Sequence, residues 1–410
     1  MSRKRYSFII LILGSLATVS PFSIDMYLPG FPTIASDLHT TIDKVQFSLT
    51  GYLIGICISQ LIYGPLIDRF GRKTPLYAGL VLYVLASVGC ALTSSVEALI
   101  IMRFFQAMGG CVGLVASQAL VSDLFPAGKR AEVFSMITLV IAVSPMIAPT
   151  VGGYVTVGFG WQWLFIILAG IVSIMIVGIY FFLPTGQAAD HSISLRPRSV
   201  LDSYITVIKQ PQFLIYTLAG GVATAAPFAY ISGSSDVFMN LYKVTEQQYG
   251  WIFALLAVAM IGSTQFNHFL LKKYSSEQVI KVTLIGQTIM GLFLIVGVWD
   301  HWFNLYSLIG TMFIFLIGQG LTGPNITALS LAPFRKHTGS ASALMGSWRM
   351  GAGAIISAIV SILHNGTAMP MVGIMAACAM VGLGILYAGN SVVRYRASRR
   401  DVEEEVSVLL

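Results

Sequence analysis

The fold of this chain is decided by the run Gly64-Pro65-Leu66-Ile67-Asp68-Arg69-Phe70-Gly71-Arg72-Lys73, a short charged turn between two stretches that carry almost no charge. Each flanking stretch is long enough for a membrane-spanning helix, which needs about 20 apolar residues. The run is therefore predicted to join two such helices. Its glycines permit a tight turn and close helix approach, and Asp68 can accept hydrogen bonds and pair with an arginine.

The composition of the whole chain also indicates a membrane protein. Of its 410 residues, 56% are hydrophobic and 10% are charged, whereas soluble proteins carry about 25% charged residues. The length accommodates about a dozen spans of roughly 20 residues each. We therefore predict an all-α integral membrane protein with twelve transmembrane helices. The net charge of +7 does not indicate a nucleic-acid partner, because the Lys and Arg residues mark loops on one side.

The distribution of positive charge predicts the orientation. Cytoplasmic loops carry an excess of Lys and Arg, and the other side of this chain has only Lys44 and Lys243. Both termini are therefore expected in the cytoplasm, which requires an even number of spans. The basic residues on the predicted cytoplasmic side are Arg3, Lys4, Arg5, Arg69, Arg72, Lys73, Lys129, Arg130, Arg196, Arg198, Lys209, Lys272, Lys273, Lys281, Arg335, Lys336, Arg394, Arg396, Arg399 and Arg400.

A long polar connection divides the chain near its middle. It predicts an N-terminal six-helix bundle over 1–183, a cytoplasmic linker over 184–210, a C-terminal six-helix bundle over 211–392 and a cytoplasmic tail over 393–410. Two such halves are typical of a parallel repeat about an axis along the membrane normal.

No residue pattern points to a cofactor. The four cysteines fall in apolar stretches, and neither they nor the six histidines have the spacing of metal ligands. No nucleotide-binding glycine-rich loop is present, so ATP is not expected as the energy source. A membrane enzyme would need a cluster of His, Cys or carboxylate groups at one face, and none is apparent.

Four charged residues fall inside predicted spans, where charge is costly and marks functional candidates. If span 1 continues to about Ile34, Asp25 and Arg103 lie at similar depths, about 13 and 9 Å from the same side. They could form a pair that exchanges a proton or contacts substrate, or a fixed strut between two helices. Arg349 could contact substrate or hold two helices together. Asp236 is expected at a solvated helix end.

Prolines and small residues predict where helices pack closely. Prolines bend helices, and small side chains let a neighbouring helix approach. Two sets of such residues suggest that spans 5 and 11 face each other between the halves. They are Pro145, Pro149, Gly152 and Gly153 on span 5, and Gly346, Gly351, Ala352 and Gly353 on span 11.

The spacing of the charged turn resembles the loop between helices 2 and 3 of the major facilitator superfamily of secondary transporters. That pattern is Gly, three residues, Asp-Arg, one residue, Gly-Arg-Lys. The run Ser23-Ile-Asp25-Met-Tyr27-Leu-Pro29-Gly-Phe-Pro32 resembles the first helix of the Bcr/CflA group of drug exporters. Supporting runs are 60–65, 102–106 and 347–351. Span 5 resembles the antiporter motif of drug exporters, with Ser144 and Ala148 where that motif has glycines.

This resemblance implies two six-helix bundles, with helices 1, 4, 7 and 10 lining a central cavity. It implies a proton antiporter of the bacterial inner membrane that exports small neutral or lipophilic antimicrobials of the chloramphenicol, florfenicol or bicyclomycin type. The expected partners are the drug, protons and the lipid bilayer, and a monomer is expected. The alternatives are a facilitator for a metabolite such as an amino acid, nucleoside or siderophore, and a membrane enzyme or receptor.

The candidate residues fall into three groups, besides the packing residues of span 5. Asp25 and Arg103 are the candidates for proton coupling. The substrate candidates are Asp25, Tyr27, Tyr52, Arg103, Gln106, Phe228, Tyr230 and Arg349. The candidates for a cytoplasmic gate are Gly64, Asp68, Arg69, Gly71, Arg72, Asp123 and Arg130. Family members often have Arg-Asp at the end of helix 4, where this chain has Ser122-Asp123.

Overall fold

The structure is a computed structural model that describes residues 3–187, 189–190, 197–334 and 338–409. Within these ranges the secondary structure is helical, without a strand. Twelve helical segments are long and apolar enough to cross a membrane, which confirms the predicted fold class. Arg196, Arg335 and Lys336, which contribute to the predicted orientation, lie outside the described residues.

The twelve spans alternate in direction. We call the end of the bundle that carries residue 3 and the turn at 70–72 the terminal face, and the other end the opposite face. The spans are Tyr6–Asp37, Ile42–Arg69, Lys73–Ala91, Val96–Leu124, Glu132–Phe159, Gln162–Phe182, Pro211–Leu241, Glu246–Leu270, Ser276–Trp299, Leu305–Leu331, Gly339–Ile362 and Met369–Gly389.

Most spans are single helices, and three of these helices extend beyond their spans. Spans 5, 11 and 12 belong to the helices Ala127–Phe159, Thr338–Ile362 and Met369–Leu409. A separate helix, Pro197–Ile208, lies between the two groups of six spans. Its Tyr204 hydroxyl donates to the Leu61 carbonyl at 3.0 Å. Burial raises the pKa of Tyr204, so the hydroxyl keeps its proton and remains a donor near neutral pH.

Span 1 is interrupted near the residue that matters most for function. Its α-helix runs from Arg3 to Asp25, followed by a 3₁₀ turn over Leu28–Gly30 and a short helix over Phe31–Asp37. The expectation that one helix continues to about Ile34 was wrong. The physical reason is Pro29, which has no N–H to offer the Asp25 carbonyl and whose ring would clash with it.

Span 7 is also segmented. It consists of the α-helices Pro211–Ala223 and Ala226–Ser235 and a π-helix over Asp236–Leu241. Pro227 is among the first residues of the second helix, where a missing N–H costs nothing. Spans 1 and 7 thus both depart from a regular α-helix toward the opposite face.

Two helix pairs join the halves. Span 2 packs along span 11, and span 5 packs along span 8. The expectation that spans 5 and 11 face each other was therefore wrong, because each packs on its own partner across the interface. Polar contacts reinforce the first pair: Thr50 donates to the Ser357 hydroxyl at 3.1 Å, and Ser357 donates to Ser232 of span 7 at 3.2 Å.

The small residues of span 5 are required by close backbone approach. A β-carbon at Gly152 would collide with the carbonyl oxygen of Met26, in the interruption of span 1. A β-carbon at Gly153 would collide with the carbonyl oxygen of Glu246, at the start of span 8. The helix continues through Pro145 and Pro149. Span 5 is thus packed against both halves at the depth where span 1 is interrupted.

Candidate functional site

Arg103 is a completely buried cation held among aromatic rings. Its guanidinium carbon lies 4.1 Å from the centre of the Tyr52 ring and 4.6 Å from that of Tyr27. Phe165 of span 6 adds a third ring at 5.7 Å. Aromatic faces attract cations, by about 2 kcal/mol or more when the cation is desolvated. Tyr27 and Tyr52 are themselves fully buried, so in this structure they contact the cation rather than line open space.

Hydrogen bonds fix the orientation of the guanidinium group. Arg103 donates from Nη1 to Gln106 Oε1 at 2.6 Å and from Nη2 to the Ser23 carbonyl of span 1 at 3.2 Å. Gln106 in turn donates to the Ser87 hydroxyl at 2.7 Å. Arg103, Gln106, Tyr27 and Tyr52, four of the residues predicted from the sequence, therefore form one cluster inside the first half.

Arg103 has no carboxylate partner among the described residues, and its Nε is unsatisfied. A buried charge without a counter-ion is costly. Asp25 does not fill this role here, although it is also buried and likewise has no hydrogen bond or ion pair within the described part of the chain. The predicted pair is therefore separated in this conformation.

The position of Asp25 on its helix explains the separation. Successive residues of an α-helix are rotated by about 100°, so residues 23 and 25 point in nearly opposite directions. Ser23 faces spans 3 and 4, where it contacts Tyr83 and Arg103. Asp25 points to the other side of the helix, toward Tyr230 and Tyr249 of the second half.

Tyr230 and Phe228 place aromatic side chains of span 7 at the interface between the halves. Tyr230 stacks on Phe253 of span 8 with a centroid distance of 5.2 Å and an interplanar angle of 24°. Its hydroxyl is buried without a partner among the described residues. Phe228 packs on Gly353 of span 11, where a β-carbon would collide with its ring. These two predicted residues therefore lie away from the Arg103 cluster.

Arg349 lies in the middle of span 11, and its side chain is exposed. On the same helix, Gly346 contacts Gln60 and Gly351 contacts Cys57 of span 2. A cation facing lipid in mid-span would be costly, so the exposed side chain is best explained by an interior space between the halves. Within the described ranges it forms no ion pair or hydrogen bond.

The charged run 64–73 comprises the helical end of span 2, the turn at 70–72 and the first residue of span 3, so the turn is shorter than predicted. The run forms a compact cluster at the terminal face, centred on Arg72. This guanidinium donates to Asp123 Oδ2 from Nε at 2.8 Å, to Gln187 Oε1 from Nη2 at 2.8 Å, and to Asp68 from Nη1. Burial lowers the pKa of Arg72, but the hydrogen bonds and charges of Asp123 and Asp68 outweigh burial and raise it above its usual value. Arg72 therefore stays charged at any physiological pH.

The remaining residues of the turn have separate roles. Gly71 has a φ of +78°, which favours glycine, whereas a β-carbon at Gly64 would meet nothing within 4 Å. The expected close approach at Gly64 is therefore absent in this conformation. Arg130 donates to the carbonyls of Phe125 at 3.0 Å and Ser122 at 2.7 Å rather than to Asp68. Arg69 lies with its guanidinium 5.9 Å from the Phe70 ring centre.

The structure corrects the expectation for Asp236 and adds residues that the sequence did not single out. Asp236 is buried, and its Oδ2 lies 2.8 Å from His364 Nε2 in a contact that is an ion pair when the imidazole is protonated, so Asp236 is not a solvated helix end. His364 lies beyond the end of span 11, and no local pattern links it to Asp236. Gln187 was also missed, because its contact with Arg72 depends on how the linker folds back.

Comparison with known proteins agrees with this architecture. Among solved structures, a bacterial homologue of the human lysosomal transporter Spinster superposes with a TM-score of 0.73 at 14% identity and covers 97% of this chain and 98% of its own. A D-xylose–proton symporter superposes with a TM-score of 0.69 at 15% identity and covers 93% of this chain and 97% of its own. At these identities the likeness concerns the fold.

Sequence relatives extend the comparison. A bicyclomycin resistance protein homologue of Haemophilus influenzae is 31% identical over 394 residues, covering 94% of this chain and 97% of the relative. A chloramphenicol resistance protein of Pseudomonas aeruginosa is 30% identical over 427 residues, covering 100% and 97%. The family model described as the Major Facilitator Superfamily matches residues 13–358. This chain, a multi-pass membrane transporter, therefore belongs to the Major Facilitator Superfamily.

Proposed function

We propose that this protein is a proton-coupled antiporter that exports small neutral or lipophilic antimicrobials by alternating access. The observation that carries the proposal is the separation of Arg103 and Asp25. In the part of the chain that the structure describes, Arg103 is buried without a carboxylate partner, and the Asp25 side chain, at the last residue of an interrupted helix, is buried without a hydrogen-bond partner. Two opposite charges that both lack partners in one conformation can pair in another.

The interruption of span 1 supplies the movement that pairing requires. Protonated Asp25 is neutral and tolerates its apolar surroundings, whereas the carboxylate needs a cation or donors. Loss of the proton favours rotation of the helix end toward Arg103, about half a turn away. Because the segment after Asp25 packs on Gly152 of span 5, such a rotation also shifts the contact between spans 1 and 5. Proton release is thereby coupled to a change in shape.

The proposed substrate class rests on the relatives and on the residues between the halves. The relatives are named for resistance to bicyclomycin and chloramphenicol and for multidrug resistance. Phe228 and Tyr230 offer apolar faces, and the exposed Arg349 offers donors to a carbonyl or nitro oxygen. Apolar walls with a few polar groups suit neutral, lipophilic molecules.

The same proposal assigns roles to the two bundles, the linker and the cluster around Arg72. The bundles 1–183 and 211–392 act as the two halves, joined by the linker 184–210 and followed by the tail 393–410. The terminal face lies in the cytoplasm, as the loop charges require, and the monomer is the working unit. The cluster around Arg72 holds the terminal ends of spans 2 and 4 together, so that the first half moves as one body.

The proposed function is tested by expressing the chain in an efflux-deficient bacterial host. Susceptibility to chloramphenicol, florfenicol, bicyclomycin and sulfonamides is compared between wild type, Asp25→Asn and vector alone. We expect the inhibitory concentration of at least one of these drugs to be higher in cells that express wild type than in cells with Asp25→Asn or vector alone. Wild type and Asp25→Asn should be equally abundant in the membrane. Unchanged susceptibility throughout, together with export of an amino acid, nucleoside or siderophore, would favour the metabolite facilitator.

A further inference from the structure

A buried ion pair at the opposite face has no part in the transport cycle described above. His364 donates from Nε2 to Asp236 Oδ2 at 2.8 Å, and Asn240 donates from Nδ2 to Asp236 Oδ1 at 2.8 Å. The Asp236 side chain is 10% exposed and that of His364 is 29% exposed. Both carboxylate oxygens are therefore satisfied, and the imidazole remains accessible to protons from the adjacent solution.

The pair fixes an unusual segment of backbone. Asp236 is the first residue of the π-helix Asp236–Leu241, and His364 follows the last helical residue of span 11, Ile362. π-Helical segments are rare and occur frequently at functional sites. The pair ties this segment of span 7 to the end of span 11 within the second half.

The same segment also contacts the first half. Ser235, directly before Asp236, donates from Oγ to the Leu28 carbonyl at 2.6 Å. The π-helix packs on the short helix Phe31–Asp37. Because Leu28 and Ser235 belong to different halves, this contact must break when the halves separate at the opposite face. The ion pair is one residue away from that contact.

The strength of the contact between Asp236 and His364 depends on whether the imidazole carries a proton. Histidine titrates between about pH 5 and 8, and an imidazolium binds a carboxylate more strongly than a neutral imidazole does. Within the described ranges no other charged group pairs with Asp236 or His364. The titratable side chains on the surrounding elements are Asp37, which accepts from Trp161, and His39, Asp43, Lys44, Tyr242, Lys243, Glu246, Tyr249, Asp300 and His301.

We propose that Asp236 and His364 form a second proton site, at the opposite face and separate from Asp25, whose occupation stabilises the contact between Ser235 and Leu28. Protonated His364 holds the π-helix in the position that places Ser235 on the Leu28 carbonyl. The proton binds more tightly when Ser235 contacts Leu28 than when the two are separated, so proton binding shifts the population toward the conformation that has this contact. Acidic solution at the opposite face therefore keeps that face closed.

The test measures conformation rather than transport, so its outcome is independent of the substrate. The four native cysteines are replaced by alanine in the full chain, and spin labels are placed at Ser94→Cys and Trp302→Cys, both exposed positions of the opposite face. Distance distributions are recorded in lipid nanodiscs at pH 5.5 and pH 8. We expect the ratio of short to long distances to be about fivefold higher at pH 5.5, the lower end of typical coupling between sites.

Matched variants show which residues cause the pH dependence of the distance distribution. His364→Gln and Asp236→Asn should each abolish most of the pH dependence, whereas His301→Gln, a histidine of the same face outside the pair, should retain it. The proposal is overturned if His364→Gln and Asp236→Asn respond like wild type, or if His301→Gln loses the pH response as they do. If His364→Gln does not accumulate, Asp236→Asn and His364→Asn decide between the same outcomes.

Discussion

The guanidinium carbon of Arg103 lies 4.1 Å from the centre of the Tyr52 ring, so in this conformation an aromatic face holds the cation where a carboxylate is expected. An aromatic ring attracts a buried cation without neutralising it. The cation is therefore held in place and remains available to a charge that arrives later. This arrangement gives the Arg103 cluster its capacity to respond to Asp25.

The first prediction concerns the ring that stacks on Arg103. Tyr52→Phe keeps the aromatic face and loses the weak bond of 3.4 Å to the Ser20 carbonyl, so near-normal stability and export are expected. Tyr52→Leu removes the face and should destabilise the protein by about 2 kcal/mol, measured by unfolding in mixed micelles. Equal losses in both variants would show that the hydroxyl, not the ring, supports Arg103.

The second prediction concerns Asp25. Asp25→Asn keeps the size of the side chain and removes its titration. We expect normal membrane abundance, drug binding that no longer varies with pH between 6 and 9, and loss of active export. Binding is measured with purified protein at several pH values, next to Asp37→Asn as a control at an exposed carboxylate of the same span. Wild-type pH dependence in Asp25→Asn would remove this residue from the coupling mechanism.

The third prediction concerns the cluster at the terminal face. A double-mutant cycle of Arg72→Gln and Asp123→Asn should give a coupling energy of about 1–3 kcal/mol in unfolding, because the two side chains bond directly. The matched cycle of Arg130→Gln and Asp123→Asn should give a smaller coupling energy than this, since Arg130 bonds to carbonyls and acts on Asp123 only through its charge. Additivity in both cycles would contradict the central position of Arg72 in this cluster.

The fourth prediction compares the two glycines of the charged run 64–73, of which Gly64 is helical and Gly71 lies in the turn. Gly71→Ala should destabilise the protein by about 1–2 kcal/mol, because a left-handed backbone is unfavourable for alanine. Gly64→Ala has open space around its β-carbon and should be neutral or slightly stabilising within its helix. The stabilities of both variants are compared by thermal unfolding in the same detergent. A larger loss of stability in Gly64→Ala than in Gly71→Ala would contradict the geometry of this conformation.

Local signals made much of the fold predictable from the sequence. Runs of apolar residues between charged turns indicate membrane helices directly, so the twelve spans were expected. The end of the helix at Asp25 also has a local cause, since Pro29 deprives the Asp25 carbonyl of its partner.

Relationships between distant residues could not be predicted in the same way. The partners of spans 5 and 11 are set by the arrangement of whole halves, and small residues identify a close contact but not its partner. Asp236 and His364 are 128 residues apart, and only the packed ends of spans 7 and 11 bring them together. Arg103 and Asp25 were correctly placed in spans, but helix rotation, which depth alone does not include, keeps them apart here.

The central claim is that proton release from Asp25 drives export, and it is tested most directly by measuring drug and proton fluxes together. Purified protein in liposomes is given a pH gradient, and the movement of a drug identified by the susceptibility panel is followed alongside internal pH. We predict uphill drug movement opposite to the proton flux, abolished by a protonophore and by Asp25→Asn. Uphill transport that persists in Asp25→Asn, or after complete collapse of the proton gradient, would contradict the account.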